Sequence, residues 1–359
     1  MTEPTEASTP TGATLAAETI SAMTDRVFGL TSGHLHSLWT ELAAGETEVI
    51  GLRDERAAVH AAHASADASG DLGVALVATG PAFTNALTGV ATAAASGVPL
   101  LVVAARPPIP QFDRGALEEL PQRPMIEPVA ECTRAALEPD RLPDHLVEAA
   151  GAALDERAVA YVEVPTDVLT GPAAVSRHRP APSGPRELGP SAEDVERAVA
   201  ALDAADRPVV VAGRGTRDPA TAAEIREFVE RAQLPLLPTA GSKGVLPPSH
   251  PLCMPAVRGR AFDEAETILL LGKRLDFTLA YGSPAVFDGT TFVQVDVNPA
   301  ALRANRTPEV AIRADVRPVI ERLTSALRPP LAAEDWLEDL ESEHEQRVAD
   351  PQARKRADE

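Results

Sequence analysis

The sequence is poor in cysteine, in aromatic residues and in positive charge. Two cysteines, Cys132 and Cys253, among 359 residues cannot build a disulfide framework or a cysteine-rich zinc site. Aromatic residues make up only 3% of the chain, so its cores must consist largely of alanine, valine and leucine. Lysine and arginine together number 33 against 53 aspartates and glutamates, and the formal charge of −20 argues against binding to nucleic acid or to an anionic membrane.

Long apolar runs and several common active-site motifs are also missing. No run reaches the length of a membrane-spanning helix, and the first twelve residues are polar and acidic, unlike a signal peptide. We therefore expect a soluble cytoplasmic protein. There is no G-x-S-x-G elbow, Walker loop or H-E-x-x-H motif. His34, His36, His60 and His63 have no cysteine or carboxylate at a convincing ligand spacing, so we predict no metal site in this chain.

The chain does contain a regular alternation of strand-like and helix-like segments. In the first half, the strand candidates are residues 26–30, 48–52, 73–79, 100–104 and 160–164. In the second half they are residues 208–212, 234–238, 267–271 and 291–295. Several are continuous apolar runs, which are typical of strands that a parallel sheet buries on both faces. The alternation predicts an α/β fold with two doubly wound parallel-sheet domains.

Composition also predicts the domain boundaries. We expect a disordered N-terminus at residues 1–12 and a first domain at residues 13–170. A proline- and glycine-rich linker at residues 171–190 would lead to a Rossmann-like second domain at residues 191–330 and a charged C-terminal tail at residues 331–359. Ser191 and Asp194 resemble a capping box that opens the first helix of the second domain. The tail is interpreted either as a solvated helix or as a docking segment.

A glycine turn follows the first strand of the second domain. Gly213 and Gly215 would let the backbone approach a phosphate at the start of the next helix. Asp218 stands where a complete dinucleotide motif has its third glycine, so the motif is partial. Asp296 ends a later strand and would reach a ribose hydroxyl. The alternative is that both segments are simply tight turns between a strand and a helix.

Two segments of the first domain place polar residues where a strand gives way to a helix. The segment Thr79–Asn85 (TGPAFTN) follows a buried strand, and the helix after it presents backbone N–H groups at the end of the sheet. Glu55 follows the strand at 48–52, and it is flanked by charged residues that would form a surface ion-pair cluster. Taken from the residues alone, each segment is either a ligand-binding crevice or an ordinary structural turn.

Taken together, these segments resemble a known enzyme family. The run from VFGLTSGHLHSLW through GLRDERAAVHAAHASADASG and TGPAFTNALTG to VPLLVVAA is similar to the pyrimidine-binding domain of the thiamine-diphosphate-dependent enzymes, in the acetolactate synthase and benzaldehyde lyase group. YVEVPTDVL resembles the closing strand of that domain. RPVVVAGRGT, LPLLPTAGSKGVLPPSHPLCMP, ILLLGKRLDFTLAYG and FVQVDVNP resemble the family's central domain. The resemblance covers about residues 13–330.

The resemblance implies roles for several residues of the first domain. Glu55 matches the glutamate that hydrogen-bonds the aminopyrimidine ring of the cofactor, so that the ring can deprotonate the neighbouring thiazolium carbon. His34 matches a histidine that relays protons in benzaldehyde lyase-like enzymes, although a solvent-facing histidine is equally compatible with the sequence. Five further residues match positions that contact the cofactor in the family: Gly33, Gly80, Pro81, Ala82 and Asn85.

The sequence departs from the family pattern in two places. The segment RGALEELPQ (Arg114–Gln122) resembles the family's G-A-F-Q-E stretch, but Glu118 replaces the active-site glutamine. A carboxylate at this cofactor-contacting position would change the charge beside the reacting carbanion. The G-D-G…N-N motif that holds Mg²⁺ and the diphosphate in the family does not occur in the chain. We therefore expect thiamine diphosphate to be shared with a separate diphosphate-binding subunit that holds the Mg²⁺.

The resemblance predicts the reaction only in outline. We expect one subunit of a split enzyme that decarboxylates a 2-oxo acid such as pyruvate and joins the acyl carbanion to an acceptor, as acetolactate synthases do. The chain would form homodimers within a heterotetramer. FAD or ADP is possible in the second domain. Two alternatives remain: a lyase that acts on a hydroxyacyl or aldehyde substrate, and a non-catalytic nucleotide-binding regulatory paralogue.

Overall fold

A computed structural model describes residues 9–173 and 187–350. The chain divides into two compact units, residues 1–186 and 187–359. Each unit is built on a parallel β-sheet with helices packed against it, so the predicted α/β class with two parallel-sheet domains is confirmed. Within the described part of the chain, we find no helix with the length and apolar character needed to cross a membrane.

The described residues of the first unit form six parallel strands in the order β2-β1-β3-β4-β6-β5. They are β1 Arg26–Gly29, β2 Glu48–Gly51, β3 Gly73–Val77, β4 Leu100–Arg106, β5 Cys132–Ala135 and β6 Val159–Pro165. The helices are α1 Gly12–Ser21, α2 His36–Ala44, α3 Glu55–Ser69, α4 Pro81–Ser96, α5 Gln122–Ile126, α6 Leu142–Glu156 and α7 Thr166–Thr170.

The sheet of the first unit is covered on both faces. Alternate residues of β4 belong to two different cores: Leu101 and Val103 pack with α1, α2 and α6, whereas Leu100 and Val102 pack with α3 and α4. A strand buried on both sides must be apolar at every position, and this explains the uninterrupted run that marks β4 in the sequence. Helices that lead toward opposite edges of the sheet lie on opposite faces, as right-handed crossovers require.

Residues 187–350 of the second unit form five parallel strands in the order β11-β10-β9-β7-β8. They are β7 Pro208–Ala212, β8 Leu236–Pro238, β9 Thr267–Leu271, β10 Thr291–Val295 and β11 Val310–Ile312. The helices are α8 Ala192–Asp203, α9 Pro219–Ala232, α10 Arg258–Glu264, α11 Val316–Ala326 and α12 Glu334–Ala349. Ser191 caps α8 through a hydrogen bond from the Asp194 N–H, at the position that the sequence predicts.

The ends of the first unit are more ordered than the sequence predicts. Disorder is expected through residue 12, yet Thr11 caps α1 by accepting from the Thr14 N–H. The segment just after Thr11 is tied to the start of the predicted linker, because the Gly12 N–H donates to the Gly171 carbonyl at 3.1 Å. Backbone pairing satisfies polar groups that would otherwise remain open, and this orders both segments. Residues 1–8 and 174–186 lie outside the described residues.

The predicted C-terminal tail begins with a helix that packs on the second unit. Trp336 and Leu340 of α12 are buried in the core of that unit. The indole Nε1 of Trp336 donates to Glu264 Oε2 at 2.7 Å, which ties α12 to α10. Trp336 and Leu340 lie four residues apart on one helical face, so a narrow apolar stripe of this largely charged helix faces the core. Residues 351–359 lie outside the described residues.

Candidate active site

The carboxyl ends of three adjacent strands form one edge of the first sheet. From β1 the chain turns one way to β2 and then crosses back to β3, so the strand order reverses between β1 and β3. Open α/β sheets bind their ligands in the crevice at such a reversal. The loops after β1, β2 and β3 carry the predicted residues Gly33 and His34, Glu55, and Gly80 to Asn85. The topology therefore brings the three sequence-predicted segments to one edge.

Glu55 is the first residue of α3 and meets Asn85 of α4. The Asn85 Nδ2 donates to Glu55 Oε2 at 2.7 Å and also to Asp54 Oδ2 at 3.3 Å. The other carboxylate oxygen of Glu55 accepts no hydrogen bond from the residues that the structure describes. A carboxyl group with one oxygen held and one oxygen open can exchange a proton with a nitrogen base placed beside it.

Asp54 anchors the start of α3, and so it fixes the position of Glu55. Its Oδ1 accepts from the Ala57 N–H at 3.0 Å, as an N-cap residue does. The pKa of Asp54 lies below its ordinary value, mainly because of the Ala57 N–H and then because of the Asn85 amide. The flanking charged residues therefore serve the helix start, and Arg56 lies 3.6 Å from Asp54 in an exposed ion pair.

The turn after β3 is built around Gly80. Its φ is +63°, a left-handed conformation that glycine adopts without strain. A Cβ atom at this position would lie 2.2 Å from the Glu118 carbonyl oxygen, so no side chain fits there. Pro81 opens α4, where its missing N–H leaves no donor unsatisfied, and Ala82 lies in the same first turn. The sequence predicts a helix after the segment Thr79–Asn85, whereas α4 begins within that segment.

Glu118 lies against this turn through its backbone rather than its side chain. The Thr79 hydroxyl oxygen lies 3.3 Å from the Glu118 carbonyl oxygen, and the Glu118 side chain is exposed. The φ of Glu118 is +59°, which is unusual for a residue with a side chain and marks a conformation that the surroundings enforce. Glu119 contributes to this, because its carboxylate accepts from the backbone N–H groups of Asp113 and Ala116.

Sequence reasoning missed Gln122 as a residue of the site. Its side chain is only 1% exposed, and its Oε1 accepts from the Gly80 N–H at 2.7 Å. Gln122 and Gly80 are 42 residues apart. In the sequence, Gln122 is a glutamine in a proline-rich segment that has no apolar periodicity. Such a segment does not predict a buried side chain.

Gly33 and His34 lie in a short 3₁₀ turn after β1. The backbone carbonyl of His34 accepts from the Thr166 hydroxyl at 3.5 Å. The hydroxyl oxygen of Ser32, just before this turn, is buried without a hydrogen-bond partner among the described residues. An orphaned polar atom at the edge that carries Glu55 fits a site that binds a polar ligand.

The glycines of the second unit do not present free N–H groups. The Gly213 N–H donates to the Leu271 carbonyl at 2.8 Å, and the Gly215 N–H donates to the Gly272 carbonyl at 3.2 Å. A Cβ atom on Gly215 would lie 2.9 Å from the Gly272 Cα, so the lack of a side chain allows two loops to pack closely. Both amides are thus occupied by backbone carbonyls, and a nucleotide site in this unit stays a prediction.

Asp296 lies at the carboxyl end of β10, where the sequence predicts it. Its Oδ1 accepts from the Asn298 N–H at 2.9 Å, which forms a local turn. No group of three or more metal-ligating side chains occurs within residues 9–173 and 187–350.

Fold and site together define an α/β protein with a carboxylate at the crevice of a doubly wound sheet and a second α/β unit. Residues 10–125 match the family model described as the thiamine pyrophosphate enzyme, N-terminal TPP binding domain. Residues 195–323 match the model described as the thiamine pyrophosphate enzyme, central domain. The chain belongs to the thiamine pyrophosphate enzyme family.

Curated relatives agree with this assignment. Oxalyl-CoA decarboxylase of Escherichia coli K12 is 28% identical over 315 residues, covering 85% of this chain and 55% of that protein. Mouse 2-hydroxyacyl-CoA lyase 1 is 32% identical over 295 residues, covering 79% and 50%. The acetolactate synthase large subunit IlvG of Mycobacterium tuberculosis is 30% identical over 335 residues, covering 88% and 58%. The chain thus spans about half the length of these relatives, which include a decarboxylase, a lyase and a synthase.

Proposed function

We propose that the first unit binds the aminopyrimidine ring of thiamine diphosphate and that Glu55 is its catalytic acid–base group. The contact between Glu55 and Asn85, 2.7 Å long at the crevice of the sheet, carries this proposal. The turn at Gly80, which packs directly against the Glu118 carbonyl, begins the helix whose Asn85 contacts Glu55. When bound, the cofactor would supply an electron sink for a carbanion formed at the carbonyl carbon of the substrate.

The residues of this chain would act on one proton. Glu55 would hold a proton at the ring nitrogen through its open carboxylate oxygen, and Asn85 would keep the carboxylate oriented by donating to the other oxygen. Gly33, Pro81 and Ala82 would contact the ring through the strand-end loops. His34 would exchange a proton with the substrate. Each role rests on the shared sheet edge and on the resemblance to the family.

The reaction that we propose is cleavage of a carbon–carbon bond beside the carbonyl group of an acyl-CoA substrate. Relatives named for oxalyl-CoA and for 2-hydroxyacyl-CoA support this substrate class. Glu118 stands where the acetolactate synthase pattern has a glutamine, and this departure also favours a lyase. Carboligation of a 2-oxo acid such as pyruvate is the second candidate, because an acetolactate synthase subunit is 30% identical to the chain.

We further propose that a separate diphosphate-binding subunit holds Mg²⁺ and the diphosphate. Two copies of this chain would pair within a heterotetramer. This proposal rests on the family resemblance, in which a G-D-G…N-N motif holds Mg²⁺ and the diphosphate, and on that motif not occurring in this sequence. FAD or ADP in the second unit remains a separate proposal, and it would need donors other than the Gly213 and Gly215 N–H groups.

The test is reconstitution with the partner, followed by product analysis. The complex, supplied with thiamine diphosphate and Mg²⁺, would be assayed with oxalyl-CoA, with a 2-hydroxyacyl-CoA and with pyruvate. We expect turnover of an acyl-CoA. Turnover of pyruvate alone would favour the second candidate. A complex that neither binds thiamine diphosphate nor turns over any of the three would contradict the function and favour a non-catalytic regulatory paralogue.

A further inference from the structure

Gln122 is a buried carboxamide whose hydrogen-bonding atoms are all engaged. Its Oε1 accepts from the Gly80 N–H at 2.7 Å and from the Thr79 hydroxyl at 2.9 Å. Its Nε2 donates to the Ala105 carbonyl at 3.1 Å and lies 3.0 Å from the Tyr161 hydroxyl. If the amide were flipped, its NH₂ group would face the Gly80 N–H and its oxygen would face the Ala105 carbonyl. Neither pair can form a hydrogen bond, so these two neighbours fix the orientation of the Gln122 amide.

We propose that Gln122 is the positioning residue of the turn at Gly80. The inference rests on the proposed function, because the position of this turn matters only if a pyrimidine ring binds there. Gln122 acts through Gly80, whose carbonyl accepts from the Thr84 N–H at 3.0 Å in the first turn of α4. The same helix carries Asn85, which holds Glu55. One side chain thus sets where α4 begins.

The opposite side of Gln122 is anchored by a buried polar network. The Tyr161 hydroxyl donates to Glu163 Oε2 at 3.2 Å, and Arg106 Nη1 donates to Glu163 Oε1 at 3.2 Å. Arg106 Nη2 lies 3.9 Å from Glu119, the residue that holds the loop at Glu118. Burial raises the pKa of Tyr161, and the Glu163 charge adds to this, so the phenol keeps its proton. A buried network of this kind resists displacement of any member.

The first experiment removes the carboxamide and measures exchange at one amide. Gln122→Met keeps the length of the side chain but loses its hydrogen bonds. Hydrogen–deuterium exchange of the Gly80 N–H, in the full chain without cofactor, should become faster by about tenfold, the effect of losing one hydrogen bond. Gln294→Met is the matched control, because Gln294 is also buried and donates to two backbone carbonyls, but in the second unit. It should leave the Gly80 N–H unchanged.

The second experiment uses Gln122→Glu, and it tests the positioning role of Gln122 even if the methionine variant does not fold. A protonated carboxyl group can still donate toward Ala105, whereas an ionised one opposes that carbonyl. Exchange at Gly80, divided by the intrinsic rate, should therefore change with pH between about pH 5 and pH 9 in the variant. Arg106, Tyr161 and Glu163 face the same position, so wild type is measured over the same range and should show a smaller change.

The outcomes separate the inference from the proposed function. Exchange at Gly80 that stays within twofold of wild type in the methionine variant, or a pH profile of Gln122→Glu equal to that of wild type, would overturn the positioning role. An equal rise in exchange at every strand of the first unit would overturn it as well. Thiamine diphosphate is added to the wild-type complex in a separate arm. Absence of binding there contradicts the proposed function without changing the exchange result.

Discussion

Gly89 of α4 lies directly against Val59 of α3. A Cβ atom at position 89 would be 2.8 Å from the Cβ of Val59, closer than two such atoms can approach. The glycine therefore sets how near the two helices run. Near their N-termini the helices carry Asn85 and Glu55, whose side chains meet at 2.7 Å. The spacing of the helices and the geometry of the site are thus consequences of the same contact.

We predict that Gly89→Ala destabilises the protein and weakens the contact between Asn85 and Glu55. The new methyl group overpacks the helix interface, which costs about 1–3 kcal/mol. Gly151→Ala is the matched control, because Gly151 also lies within a helix but a methyl group added there would meet open space. That change should stabilise the protein by up to about 1 kcal/mol. Urea denaturation measures both, and equal effects would contradict the packing argument.

Gly80→Ala should be more damaging than Gly70→Ala. Both glycines have a positive φ, +63° and +81°, so each substitution introduces backbone strain of about 1–2 kcal/mol. At Gly70 there is open space, whereas at Gly80 the methyl group collides with Glu118. The difference in unfolding free energy between the two variants reports the collision together with the greater backbone strain at Gly80, whose ψ is −119° against 1° at Gly70. A loss in Gly80→Ala no greater than that in Gly70→Ala would show that the turn at residue 80 has room to adjust.

Acid should loosen α12 through His344. Burial lowers the pKa of His344 below the ordinary value of 6.5, and its Nδ1 accepts from the Ala256 N–H at 3.3 Å. In the unfolded chain, His344 takes up its proton at a higher pH than it does in the folded protein. Stability from the neutral ring is therefore present above pH 6.5 and is lost as the pH falls through the lower pKa of the folded state.

Fluorescence of Trp336 measures this loosening. Trp336 is buried on α12, and a Trp39→Phe background removes the other tryptophan. We expect the emission to shift to longer wavelength as the pH falls below 6.5. His344→Gln should reduce the shift, because the amide can accept a hydrogen bond but does not titrate. His36→Gln, at an exposed histidine, is the control. The same acid shift in all three proteins would rule out His344 as its source.

The local sequence pattern predicts the overall architecture but not every strand. Strands such as β4 and β9 are uninterrupted apolar runs, and burial on both faces explains why the sequence reveals them. The strands β5 and β11 were missed. The first has Thr133 and Arg134 among its four residues, and the second has only three residues. Both lie at the edge of a sheet, where a strand needs less apolar surface.

The residues of the candidate site are likewise only partly predictable from the sequence. Glu55 and Asn85 are found through the strand-to-helix turns that carry them, together with the family resemblance. The role of Gln122 depends on a hydrogen bond to a residue 42 positions away, which no local pattern contains. The glycines at 213 and 215 were located correctly as a turn, but whether their N–H groups are free is a question of packing with Gly272.

Glu55→Gln in the reconstituted complex tests the central claim most directly. Glutamine keeps the size of the side chain but cannot hold the proton, so turnover should fall by about 10²–10⁴-fold, the usual contribution of an acid–base group. Glu193→Gln is the control, since Glu193 is an exposed glutamate in the first turn of α8, and it should retain wild-type turnover. Full turnover of Glu55→Gln, with an unchanged unfolding curve, would contradict the account.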